Sequence, residues 1–71
     1  MIKEGSNVVI IPSEELSKMK LDDLTERKGV IIEDLNYSQR KYKGYMVRLS
    51  DGPILGEYIW FVPSSSIQEN E

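Results

Sequence analysis

The chain has 71 residues, of which 30% are charged, a formal net charge of −3 at pH 7, and neither cysteine nor histidine. That length accommodates one domain, which buries only about 60% of the surface its unfolded chain exposes, so the core is small. Composition excludes disulfides, thiolate or imidazole metal sites and a structural zinc, and the acidic balance argues against a surface that neutralises phosphates everywhere.

The lack of disulfides in so small a domain fits a reducing compartment. The longest early apolar run, Val8 to Ile11, is far short of the roughly 7–15 residues of a signal-peptide core or the ~20 of a spanning helix. The expectation is a cytoplasmic protein with no membrane partner.

In chain order, residues 1–4 read as a polar lead-in that Gly5 ends. Asn7 to Ile11 reads as a first strand between Gly-Ser and Pro12, apolar at four successive positions, so both of its faces need cover. Pro12-Ser13-Glu14-Glu15 is a helix start, with Ser13 placed to accept from an orphan amide and two acids at the positive end of the dipole. Leu16, Met19 and Leu24 fall on one stripe, and Glu14 lies one turn before Lys18. The stripe predicts one or two helical turns that cap an open end or an outer face, with Met19 filling a gap in the core.

Gly29 to Leu35 is the second strand, and Asn36 to Lys43 a polar connection carrying Tyr37, Arg40, Lys41 and Tyr42 as surface anchors. Gly44 to Ser50 alternates, with Tyr45, Val47 and Leu49 on one face and Met46 and Arg48 on the other, the pattern of a strand with one wet side. Asp51-Gly52-Pro53 supplies a turn. Tyr58 to Val62 packs five β-formers before Pro63, which cannot donate to a ladder and stops the strand, and Ile67 begins a brief last strand. The domain is placed at residues 5–67, with short tails at 1–4 and 68–71.

The order of strand, long decorated connection, strand, polar loop, strand, tight turn, strand, short turn and strand resembles the SH3-like barrel superfamily. The closest local likeness is Val62-Pro63-Ser64-Ser65-Ser66-Ile67, which looks like the hydrophobic–Pro–Ser–x–Tyr–aliphatic closing of SH3 domains; Pro63 matches, and Ser66 stands where the tyrosine would be. The resemblance implies a mainly β fold, a five-stranded SH3-like barrel with a short helical insertion between strands 1 and 2. Tudor-like and KOW-type barrels share that architecture.

If Val62 points inward, period-two geometry sends Trp60 and Tyr58 inward with it and Ile59 and Phe61 outward, where the Leu16/Met19 helix or a partner must cover them. Contact among Tyr45, Tyr58 and Trp60 leaves room for an aromatic cage, although filling of the barrel explains the rings as well. The basic cluster Arg40, Lys41 and Lys43, with Arg48 nearby, is interleaved with Tyr42 and Tyr45, as single-stranded nucleic acid binding requires. Catalysis has little to work with: Glu33/Asp34 are strand neighbours on opposite faces, Asp22/Asp23 read as solvated, Ser64 to Ser66 have no histidine to activate them, and no glycine-rich phosphate cradle occurs. The functional expectation is a non-catalytic binding or adaptor module without cofactor. It engages a protein partner through an aromatic-rich face that includes Tyr37, Arg40, Lys41, Tyr42, Lys43, Arg48 and Phe61; the alternative is a nucleic-acid-binding barrel using the Arg40 to Arg48 patch.

Overall fold

In the computed structural model, which describes residues 2–37, 39 and 41–70, five antiparallel strands form one sheet. The elements are β1 (Asn7–Ile10), α1 (Glu14–Lys18), β2 (Lys28–Asp34), β3 (Gly44–Leu49), β4 (Ile59–Pro63) and β5 (Ile67–Glu69). Single turns of 3-10 helix occupy Asp22–Leu24 and Ser64–Ser66.

The strands lie in the order β4-β3-β2-β1-β5. A flat sheet of that order would hold its two edges roughly 19 Å apart, four steps of about 4.8 Å. Yet β4 and β5 are joined by the Ser64–Ser66 turn alone, too short a link to bridge that gap. The sheet is therefore strongly curled, and its edges approach where the serine turn joins them. Among the described residues no ladder joins β4 to β5, so hydrogen bonding leaves the sheet open rather than closed as the expected barrel. The reason is local: Pro63 offers no N–H, the chain turns helical immediately after it, and the whole of β5 is in register with β1.

The inner face carries Val8, Ile10, Ile31, Val47, Leu49, Val62 and Ile67, all buried, and Leu16 and Leu24 from the β1–β2 connection complete this core. The alternation read in β3 holds. Val47 lies opposite Ile31 and Trp60, and Tyr45 opposite Val62, on the inner side, while Met46 and Arg48 face out. A bulge between Ile31 and Glu33 inserts Ile32 into β2 and leaves it 41% exposed.

The helical insertion forms for the reason its sequence predicts. Ser13 takes extended angles and its Oγ accepts from the Leu16 N–H at 3.1 Å, with Glu14 and Glu15 in the first turn and Lys18 in the last. It ends in a Schellman motif, in which the Leu21 N–H donates to the Leu16 carbonyl (3.1 Å) and the Lys20 N–H to that of Ser17 (3.0 Å), with Lys20 at φ 59. Among the described residues no helix is long and apolar enough to cross a membrane.

Candidate binding face

The antiparallel register sorts the outward residues of β2, β3 and β4 into adjoining rows. Val30, Arg48 and Ile59 occupy one row, and Glu33, Met46 and Phe61 the next. Val30, Met46 and Phe61 are half-buried, whereas Ile59 is 47% exposed. The outer surface thus mixes apolar residues with one charged residue per row, Arg48 in the middle of the first and Glu33 at the β2 end of the second. The sequence leads one to expect the Leu16/Met19 helix or a partner to cover Ile59 and Phe61, but the Leu16 side chain is fully buried in the inner core instead. The five-residue helix is anchored at its N-cap to the serine turn, which directs Leu16 into the inner core.

Tyr58 also departs from expectation. The ladder begins at Ile59, so Tyr58 precedes β4, is 46% exposed, and lies with its ring under the Arg48 guanidinium at 5.5 Å. Tyr45 and Trp60 pack against the core, and the Trp60 indole N–H donates to the Glu57 carbonyl at 3.1 Å. The three rings considered for a cage are therefore divided between core and surface. The Tyr45 phenol is raised above its ordinary pKa, first by burial and then by the Asp34 charge, against the lowering effect of an Asn36 hydrogen bond.

No family model, curated protein or solved structure matches this chain.

Of the other predicted site residues, Tyr37, Lys41, Tyr42 and Lys43 are exposed in the β2–β3 connection, and Arg40 lies outside the described residues. The Lys41 ammonium sits 5.5 Å from the Tyr42 ring centre. Lys43 and Arg48 stand at opposite ends of β3, roughly 16 Å apart at about 3.3 Å per residue, so the basic residues form two groups rather than one patch. Phe61 joins the connection to the outer face, since its ring lies beside Gly44, where an added Cβ would come within 2.8 Å of it.

At the Gly44 end of β3 the serine turn gathers three segments. Ser64 Oγ donates to Asn36 Oδ1, Ser65 Oγ donates to Glu15 Oε1 at 3.0 Å, and the buried Ser66 hydroxyl bonds that of Ser13. A groove of about 320 Å³ opens there, lined by Glu15, Lys18, Met19 and Tyr42. Met19 is thus only half-buried and faces a cleft, not a gap in the core.

The other end of β3 carries a feature the sequence reading missed. Ile54 and Glu57 exchange both backbone hydrogen bonds (3.0 and 2.9 Å) around Leu55 at φ 52 and Gly56 at φ 79. Positive φ at both central positions marks a type I′ hairpin turn, in which asparagine or glycine is preferred and leucine is strained. Leu55 is 88% exposed. The available signal was the Leu-Gly pair between Ile54 and Glu57; because leucine is a poor turn residue, the pair reads as strand.

Proposed function

We propose that the chain is a non-catalytic binding module of the SH3-like kind that engages a protein partner through the convex face of β2–β4. The observation that carries this reading is the apolar row structure of that face. Val30 and Ile59 flank Arg48 in one outward row, Met46 and Phe61 are neighbours in the next, and Ile59 is 47% exposed. Arg48, stacked on Tyr58, stands between Val30 and Ile59, and Glu33 ends the neighbouring row at β2; arginine set among apolar and aromatic neighbours is common in protein interfaces. The SH3-like part of the reading is supported by the strand order, the long first connection with its short helix, and the one-turn link between β4 and β5.

Capture from native lysate with the wild-type chain and with Ile59→Lys, both first matched by circular dichroism and Tm, tests the proposal. Loss of a specific co-purifying protein from the variant is the expected result. An identical set of proteins on both, or recovery only of nucleic acid that moderate salt releases, overturns it.

A further inference from the structure

Two features at opposite ends of β3 fit one another. Leu55 projects from the tip of the Ile54–Glu57 hairpin, 88% exposed, on a backbone conformation that disfavours leucine. Strain retained together with maximal exposure is what a residue kept for contact shows, since asparagine would hold the same turn without cost. The tip is convex and closed by two backbone hydrogen bonds, so its complement is concave. The groove of about 320 Å³ lined by Met19 and Tyr42, with the Glu15 and Lys18 side chains at its walls, has room for a leucine side chain.

Charge matches as well as shape. Exposed Glu57 flanks the knob. Lys18 in the groove wall is 73% exposed and pairs with the still more open Glu14 at 3.5 Å, and the Lys41 ammonium lies 5.5 Å from the ring of Tyr42, another wall residue. The one acid in the groove wall, Glu15, already accepts from Ser65 Oγ. The two features cannot meet within one molecule: β3 leads away from the groove end at Gly44 and toward the hairpin end at Leu49, a separation of roughly 17–20 Å.

We propose that copies of this chain associate head to tail, the Leu55 tip of one seated in the Met19–Tyr42 groove of the next, with Glu57 facing Lys18 and Lys41. Such a contact is heterologous: each copy retains one free knob and one free groove, so assembly continues with concentration instead of stopping at a dimer. The contact is small and the association correspondingly weak and salt-sensitive. This surface is separate from the convex face proposed for a protein partner, and either can fail without the other.

Sedimentation across a range of concentration tests it with three proteins. The wild type rises above its 8.2 kDa monomer mass as concentration increases. Leu55→Asn, which lacks the knob, and Met19→Glu, which blocks the groove with the charge sign of Glu57, each remain monomeric. Their mixture forms a complex that ends at one copy of each, because Leu55→Asn keeps a groove and Met19→Glu keeps a knob. Should Met19→Glu fail to fold, Lys18→Glu replaces it and weakens self-association several-fold. A wild type that stays monomeric, a Leu55→Asn protein that associates as the wild type does, or a mixture that forms no complex overturns the proposal.

Discussion

The two ends of β3 treat their turns in opposite ways. At the Gly44 end, the Ser64–Ser66 turn uses each of its three hydroxyls, tying the β2–β3 connection, the body of α1 and the cap of α1 to a single point. At the Leu49 end, the Ile54–Glu57 turn places a leucine at positive φ in open solvent, and the only side-chain hydrogen bond to it described is that of the Trp60 indole to Glu57. The first turn spends its side chains on the fold. The second gives up stability to present an apolar group, and that asymmetry separates the structural pole of the molecule from the displayed one.

The contrast breaks most severely at Gly44. An added Cβ there meets the Val62 carbonyl oxygen, lies 2.8 Å from the Phe61 ring and 2.9 Å from the Pro63 Cα, with backbone on two sides that cannot yield. Gly44→Ala is expected to destabilise the protein by about 3 kcal/mol, the upper range for overpacking, by prising β3 from β4 just before the serine turn. Chemical denaturation measures it; a loss under ~1 kcal/mol would show that this end tolerates movement.

Next in size is Ser13→Ala. It removes the cap on the Leu16 N–H and leaves the buried Ser66 hydroxyl without its partner, together costing about 2 kcal/mol. In the double variant Ser13→Ala/Ser66→Ala the orphaned hydroxyl is gone as well, so the combined loss is expected to fall short of the sum of the singles. Strict additivity in the same denaturation series would mean that the two hydroxyls act independently.

At the displayed pole the sign reverses. Leu55→Asn relieves the left-handed strain and is expected to stabilise by about 1 kcal/mol, raising Tm by roughly 4–8 °C for a domain of this size. A neutral or negative shift would show that leucine is held there by packing within the chain.

The same division governs what the sequence discloses. β1, β3 and the Ser13 cap are legible because their causes are local: apolar runs, period-two alternation, and a capping residue three positions before the amide that donates to it. The serine clasp is not legible, since Ser65 and Ser66 meet residues 50 and 53 positions away, a relation no window of sequence contains. Tyr58 lies just before β4: its carbonyl still accepts from the Leu49 N–H at 2.7 Å, yet the residue is 46% exposed with its ring beside Arg48, and alternation alone does not mark where a strand gives way to its turn. The same alternation places Ile59 and Phe61 outward, as the register does; it leaves open whether the helix or a partner covers them, because helix stripes do not state which side of a curled sheet they meet, and Leu16 meets the inner one.

The smallest expected effect tests whether the displayed pole also differs in its chemistry. The turn that leads into it is held by charge: Arg27 donates from Nε to Asp51 Oδ1 at 3.0 Å and from its terminal nitrogen to the Gly52 carbonyl at 2.6 Å, and the Lys28 N–H donates to Asp51 Oδ2 at 3.3 Å. Burial pushes the Asp51 carboxyl up, but the Arg27 and Lys28 hydrogen bonds and the Arg27 charge outweigh it and hold the group below its ordinary value. A depressed carboxyl contributes stability that is present above its unfolded pKa of about 3.9 and is lost as pH falls through the lower folded value, because the unfolded chain takes up the proton first. The pair is open to solvent, so its worth after screening is at most about 1 kcal/mol. The Tm of the wild type should exceed that of Asp51→Asn at neutral pH, and the gap should close on acidification below pH ~4. The serine clasp, built from neutral hydroxyls on one side of every bond, should leave the Ser66→Ala gap unchanged over the same titration. If both gaps close together, or neither does, the two poles are not distinguished by charge and the hairpin end is held by something other than the Arg27–Asp51 clasp.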